Sequence, residues 1–150
     1  MTEKQIKNKE LIERYPFLQP RNVWTDKVPE DFDYSYTRLD EIPNGWRMAF
    51  GLELCEELRI ALIEENYLDK FRFSQIKEKY GRLCLYNFGA SERVHAILRK
   101  YEKLSETVCI VCGAPATRIT RGWISPFCDN CGGWKDEDCV PINEYYEEED

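Results

Sequence analysis

Cys109-Ile110-Val111-Cys112-Gly113 and Cys128-Asp129-Asn130-Cys131-Gly132 are two Cys-x-x-Cys-Gly knuckles separated by fifteen residues. A Cys-x-x-Cys turn points two thiolates at one ion. Glycine after the second sulfur accepts a backbone twist that lets amide N–H groups point back at the thiolates. Two such knuckles joined by a hairpin-length segment are what a zinc ribbon requires, so Cys109, Cys112, Cys128 and Cys131 are the expected ligands of a tetrahedral zinc site. The competing reading is two disulfides or four ordinary core thiols. A chain of 150 residues can bury a core without staples. Residues 1–10 are polar apart from Met1 and Ile6, unlike a secretory signal, and no apolar run approaches the roughly 20 residues of a membrane span. The expected location is the cytoplasm, where thiols stay reduced.

Four cysteinates fill the zinc shell and leave the ion with two net negative charges, which makes a poor Lewis acid. A catalytic zinc keeps an open position, usually with histidine or carboxylate among three protein ligands. The zinc is therefore expected to be structural. Arg118, Arg121 and Lys135 are near enough in sequence to offset the site's charge, and Cys139 is a substitute ligand or a free thiol.

Working outward, residues 92–105 carry an apolar stripe of Val94, Ile97, Leu98, Tyr101 and Leu104, with Ser91 as N-cap. This helix runs directly into Cys109, so the ribbon is expected to pack on the helix end. Residues 71–86 read as a hairpin turning near Tyr80-Gly81. Residues 45–65 form the core helix, with Trp46, Phe50, Leu54, Leu58 and Leu62 repeating every four residues. Before it lies a long irregular segment, 16–44, punctuated by Pro16, Pro20, Pro29 and Pro43. Its aromatics, Phe17, Trp24, Phe32, Tyr34 and Tyr36, either glue it to the core or form a contact surface. A weak helical pattern covers residues 3–14. The expected fold is α+β: two amphipathic helices with a β-hairpin, packed against a C-terminal zinc-ribbon-like module. The expected divisions are an α+β domain at 1–108, the ribbon at 109–135 and an acidic tail at 136–150.

The net charge of −7 is uneven. Residues 1–135 are near neutral, whereas residues 136–150 carry eight acids and no base. A near-neutral body argues against broad phosphate binding. The tail reads as a solvated end or as a segment that docks on a basic partner.

Several stretches then carry a resemblance: Tyr15-Pro16-Phe17-Leu18, Asp33-Tyr34-Ser35-Tyr36, Gly45-Trp46, Gln75-Ile76-Lys77-Glu78-Lys79-Tyr80-Gly81, Leu104-Ser105, Thr107 to Gly113, Gly122-Trp123-Ile124 and Cys128 to Cys131. Across roughly residues 15–131 the chain resembles a group of small bacterial, phage and prophage proteins with no established activity. Some of that group look to have histidine at the last ligand position. Here Cys131 keeps the site closed.

Other chemistry is thin. His95 is the one histidine, placed beside the apolar stripe of its helix, with no nucleophile or carboxylate constellation around it. Cys55 and Cys84 sit among apolar neighbours and read as core thiols. The Lys77–Arg82 turn reads as a solvated hairpin tip or a phosphate contact. No phosphate-binding glycine loop or dinucleotide fingerprint occurs. The chain is thus expected to be a non-enzymatic accessory protein of phage or mobile-element type that binds a protein partner. Trp123 and Phe127, with Arg118 and Arg121, are the candidate contact strip, and the alternative is that the two aromatics cover the small ribbon core. Inhibition of a host defence nuclease in a bacterial cell is the role that kinship and the acidic tail suggest. The alternative is a nucleic-acid-binding or transcription-associated zinc ribbon using Arg118, Arg121 and the Lys77–Arg82 turn.

Overall fold

The computed structural model describes residues 1–132 and 139–149. Helix α1 (Glu3–Arg14) starts at a capping box in which Thr2 and Gln5 satisfy each other's backbone amides. Two 3-10 turns follow, Pro16–Leu18 and Arg38–Glu41. A continuous helical rod is then built from α2 (Asn44–Trp46), a π turn (Arg47–Gly51) and α3 (Leu52–Glu64). Strands β1 (Arg72–Lys79) and β2 (Arg82–Phe88) form an antiparallel hairpin, and α4 (Glu92–Ser105) returns across it. The second sheet has the order β4-β3-β5, from β3 (Arg118–Thr120), β4 (Pro126–Phe127) and β5 (Cys139–Pro141). Helix α5 (Ile142–Glu149) closes the described chain. The architecture is mixed helix and sheet, with two small antiparallel sheets.

The π turn has a reason in the sequence. A strict four-residue apolar repeat runs ahead of a 3.6-residue helical turn. One widened turn between Trp46 and Leu54 takes up the excess, so Trp46, Phe50, Leu54, Leu58 and Leu62 all reach the core. There they meet Phe17, Phe71, Leu83, Val94, Leu98 and Tyr101 in one cluster. Helix α4 also closes the free edge of β2: the Leu83 amide donates to Ser105 Oγ at 2.9 Å and the Leu85 amide to the Glu102 carboxylate at 2.8 Å. Capping an edge in this way removes a site for stray strand pairing. Ser91 caps α4, accepting from the Val94 amide.

Two expectations change, those for Cys84 and for the tail, while the aromatics of the irregular segment divide between their two expected roles. Among the aromatics of the irregular segment, Phe17 enters the core beside Phe71 and Phe73, whereas Trp24 stands 90% exposed. Cys84 is half-buried on the outward side of β2, not in the core, because alternation gives the inward positions to Leu83 and Leu85. The tail is not simply a solvated end. Cys139–Pro141 is the third strand of the ribbon sheet, and the Tyr146 hydroxyl donates to the Glu106 carbonyl at 3.2 Å. Lys135 and the expected boundary between ribbon and tail lie outside the described residues.

Candidate metal centre

Trp46, fully buried, donates its indole N–H to the Val108 carbonyl at 2.9 Å, holding the chain just before the first knuckle. Beside it the Gly45 amide donates to the Ile110 carbonyl at 2.9 Å. A Cβ on Gly45 would lie 2.1 Å from the Cys109 oxygen, so only glycine lets the helix start this close to the knuckle. On the other side, the Ile110 amide donates to the Pro126 carbonyl and the Cys109 amide to that of Ala114. The first knuckle is thus wedged between α2 and β4.

Gly113 has φ +85°, the left-handed turn expected after the second sulfur. Its amide bonds to the Cys109 carbonyl at 3.0 Å. Gly132 serves differently: a Cβ there would sit 2.9 Å from the Phe127 ring, so small size is what matters. The Thr117 hydroxyl donates to Asp129 at 2.6 Å, tying the residue before β3 to the second knuckle.

These supports bring Cys109, Cys112, Cys128 and Cys131 together, with all four sulfurs within 4.8 Å of one another. Cys112 and Cys128 Sγ are 3.5 Å apart, far beyond a disulfide bond of about 2.05 Å. A tetrahedral shell with metal–sulfur bonds of about 2.3 Å places its sulfurs about 3.8 Å apart, so the donor set fits one ion. Four sulfurs in that shape suit zinc or iron.

Crowding governs the protons. Burial works against a Cys109 thiolate, but amide hydrogen bonds from Cys112, Cys128 and Val111 outweigh it and bring the thiol down to about 7. Cys131 is pushed up to about 12 by hydrogen bonding with Cys128 and then Cys112. Cys112 is favoured as thiolate by the Ala114 amide yet is raised by its contact with Cys128. Four thiolates so close need a cation to ionise together.

Cys139 stands opposite Thr120 on β5, outside the four-sulfur group. The contact strip divides. Phe127 is only 4% exposed and packs with Cys109 and Cys128 in the ribbon core, the covering role that stood as the alternative to a contact anchor. Trp123 is 76% exposed at the turn between β3 and β4, where the Thr120 hydroxyl donates to its carbonyl. Arg118 is half-buried on β3 and Arg121 exposed beside Trp123. His95 is an exposed helix residue, and Cys55 is a buried thiol pushed up to about 12 by burial.

The sequence reading missed Gly45 and Trp46 as the supports of the knuckle. Their signal was present as a helix-opening Gly-Trp pair, but its target is sixty residues away. Among the described residues, no helix is long and apolar enough to cross a membrane. Comparison with family models, curated proteins and solved structures finds no match.

Proposed function

We propose that this chain is a non-enzymatic binding protein in which the four-sulfur site holds a structural zinc and the ribbon tip engages a protein partner. The observation that carries this is the meeting of two turns. The β1–β2 turn packs on the ribbon, with Gly81 against Ile124, so that Tyr80 at 73% exposure and Trp123 rim one cleft of about 360 Å³. Exposed rings held on rigid turns lose little entropy on binding and are the residues that dominate protein interfaces. The zinc holds the Trp123 turn by closing the ribbon beneath it.

A phage-type accessory role, and within it inhibition of a host defence nuclease in the bacterial cytoplasm, rests on the resemblance and on the acidic residues of α5. A nucleic-acid-binding ribbon is the second reading, supported by Lys77 and Lys79, which lie over the rings of Tyr86 and Tyr80. Affinity capture from bacterial lysate with the intact chain and with Trp123→Ala tests the first. One protein enriched by the wild type and lost with the variant, at unchanged thermal midpoint, is the expected result. Equal capture by both would refute it.

A further inference from the structure

We infer that the outward side of the β1–β2 hairpin, extended by Trp24, is a binding face for single-stranded nucleic acid. This deepens the nucleic-acid reading, on which it rests, and its face adjoins the tip cleft, sharing Lys79 and Tyr80 with it but not Trp123.

Register decides what this face carries. Lys79 stands opposite Arg82, Lys77 opposite Cys84 and Arg72 opposite Phe88, with Tyr86 opposite Gln75. The inward positions, such as Ile76, Leu83 and Leu85, are buried. No acidic residue occupies an outward position on either strand, but Arg72 pairs with Asp26 and Arg82 with Glu106 at 3.5 Å, so the positive character of the face rests on Lys77 and Lys79. Tyr86 and Phe88 are both exposed, two residues apart on one strand and so about 7 Å apart. The ammonium groups of Lys77 and Lys79 lie 5.5 and 5.7 Å from the ring centres of Tyr86 and Tyr80.

Trp24 prolongs the row. It lines a common cavity of about 250 Å³ with Arg72 and Phe88. Its loop is pre-formed: Asn22 Oδ1 accepts from the Trp24 and Thr25 amides, and Asp26 pairs with Arg72 at 2.9 Å. An indole left in water on so constrained a loop is an unfilled stacking surface.

Rings interleaved with cations match a strand whose bases are splayed and whose phosphates alternate with them. A duplex hides its base faces and gives the rings nothing to stack on. An acidic peptide would use the cations and leave the rings unmatched. Eight residues of β1 span about 26 Å, enough for several nucleotides. The acidic helix α5 borders the Arg82 end, where Tyr145 and Tyr146 share a cavity with Lys79 and Arg82. Its Glu144 and Glu147 repel an incoming strand, so neutralising both should tighten binding.

Fluorescence anisotropy of the intact chain with labelled single strands of about twelve nucleotides, DNA and RNA in separate arms, tests the inference. Binding should appear at low salt and weaken as salt rises. Tyr86→Ala or Phe88→Ala should each lose about tenfold in affinity, while Tyr86→Phe retains it. Lys77→Gln with Lys79→Gln should flatten the salt slope by about 0.7 per lost phosphate contact. These side chains face solvent or are only half-buried, and a thermal midpoint reports any loss of fold. Absence of binding at low salt, equal affinity for a duplex, or alanine variants that bind like the wild type would each overturn the assignment. Polyglutamate competing as strongly as the oligonucleotide would assign the face to acidic proteins instead. Trp123→Ala should retain oligonucleotide binding; equal loss there would move the site to the tip cleft and refute this one.

Discussion

Gly45 is a point of close approach between α2 and the first knuckle. It sits in a helical turn, where alanine is ordinarily the better residue by about 1 kcal/mol. Here the sign reverses, because the added methyl would meet backbone, the Cys109 carbonyl oxygen at 2.1 Å and Ile110 C at 2.6 Å, which cannot rotate away. Gly45→Ala is expected to destabilise the metal-loaded protein by on the order of 2 kcal/mol, as overpacking does. Denaturant unfolding in the presence of zinc measures this. A variant as stable as the wild type would show that the knuckle and α2 are not held together in solution. Trp46 belongs to the same contact, since its indole N–H has a carbonyl partner that an apolar ring would leave unsatisfied.

At the scale of elements, the α3–α4 pair is held by more than its apolar stripe. Glu57 on α3 accepts from the Tyr101 hydroxyl at 2.6 Å and from the Lys100 ammonium at 2.5 Å, both on α4. Burial opposes ionisation of Glu57, yet the lysine and the hydroxyl outweigh it and hold the carboxyl below its ordinary range. A group whose folded value is depressed stabilises above its unfolded value, and that contribution is lost as pH falls through the folded one. Glu57→Gln should therefore cost about 1 kcal/mol near neutral pH, after allowance for solvent screening. The gap between variant and wild type should close in acid, below the ordinary glutamate range. Urea midpoints of the two proteins across pH give the check; a gap that persists undiminished in acid would remove Glu57 ionisation from the account.

Over the whole molecule, two apolar clusters adjoin. The larger includes Val108 and the smaller is built on Cys109, Phe127 and Cys128, with Ile110 packed against both. The large cluster draws on α2–α4 and the hairpin and does not need the ion. The small one buries little apolar surface, so on the proposed reading a bound ion closes it. Removing metal with a chelator should lower the thermal midpoint by several degrees while leaving most far-ultraviolet helical signal. It should also shift Trp46 fluorescence to the red as water reaches the Val108 junction. Because metal must displace protons from the thiols, the same change should follow acidification. Complete loss of helical signal on chelation would show that the main core depends on the ribbon; an unchanged midpoint would show that no bound ion contributes.

Local pattern was enough for much of this. The Cys-x-x-Cys spacing foretold the sulfur group, the apolar repeats foretold α3 and α4, Ser91 foretold a cap, and Tyr80-Gly81 foretold the hairpin turn. Each depends on residues a few positions apart, within reach of backbone geometry and side-chain period. Even the outward row of Arg82, Cys84, Tyr86 and Phe88 could be read from alternation with Leu83 and Leu85. What alternation could not say is which side would stay bare, since that depends on where α4 and α5 come to rest. The separation of Trp123 from Phe127, the strand made by Cys139–Pro141, the placing of Trp24 beside Phe88 and the seat of the first knuckle on Gly45 were decided only by tertiary packing. All four arise from contacts between residues distant in the chain, whose cost in loop closure is met only when the whole core forms.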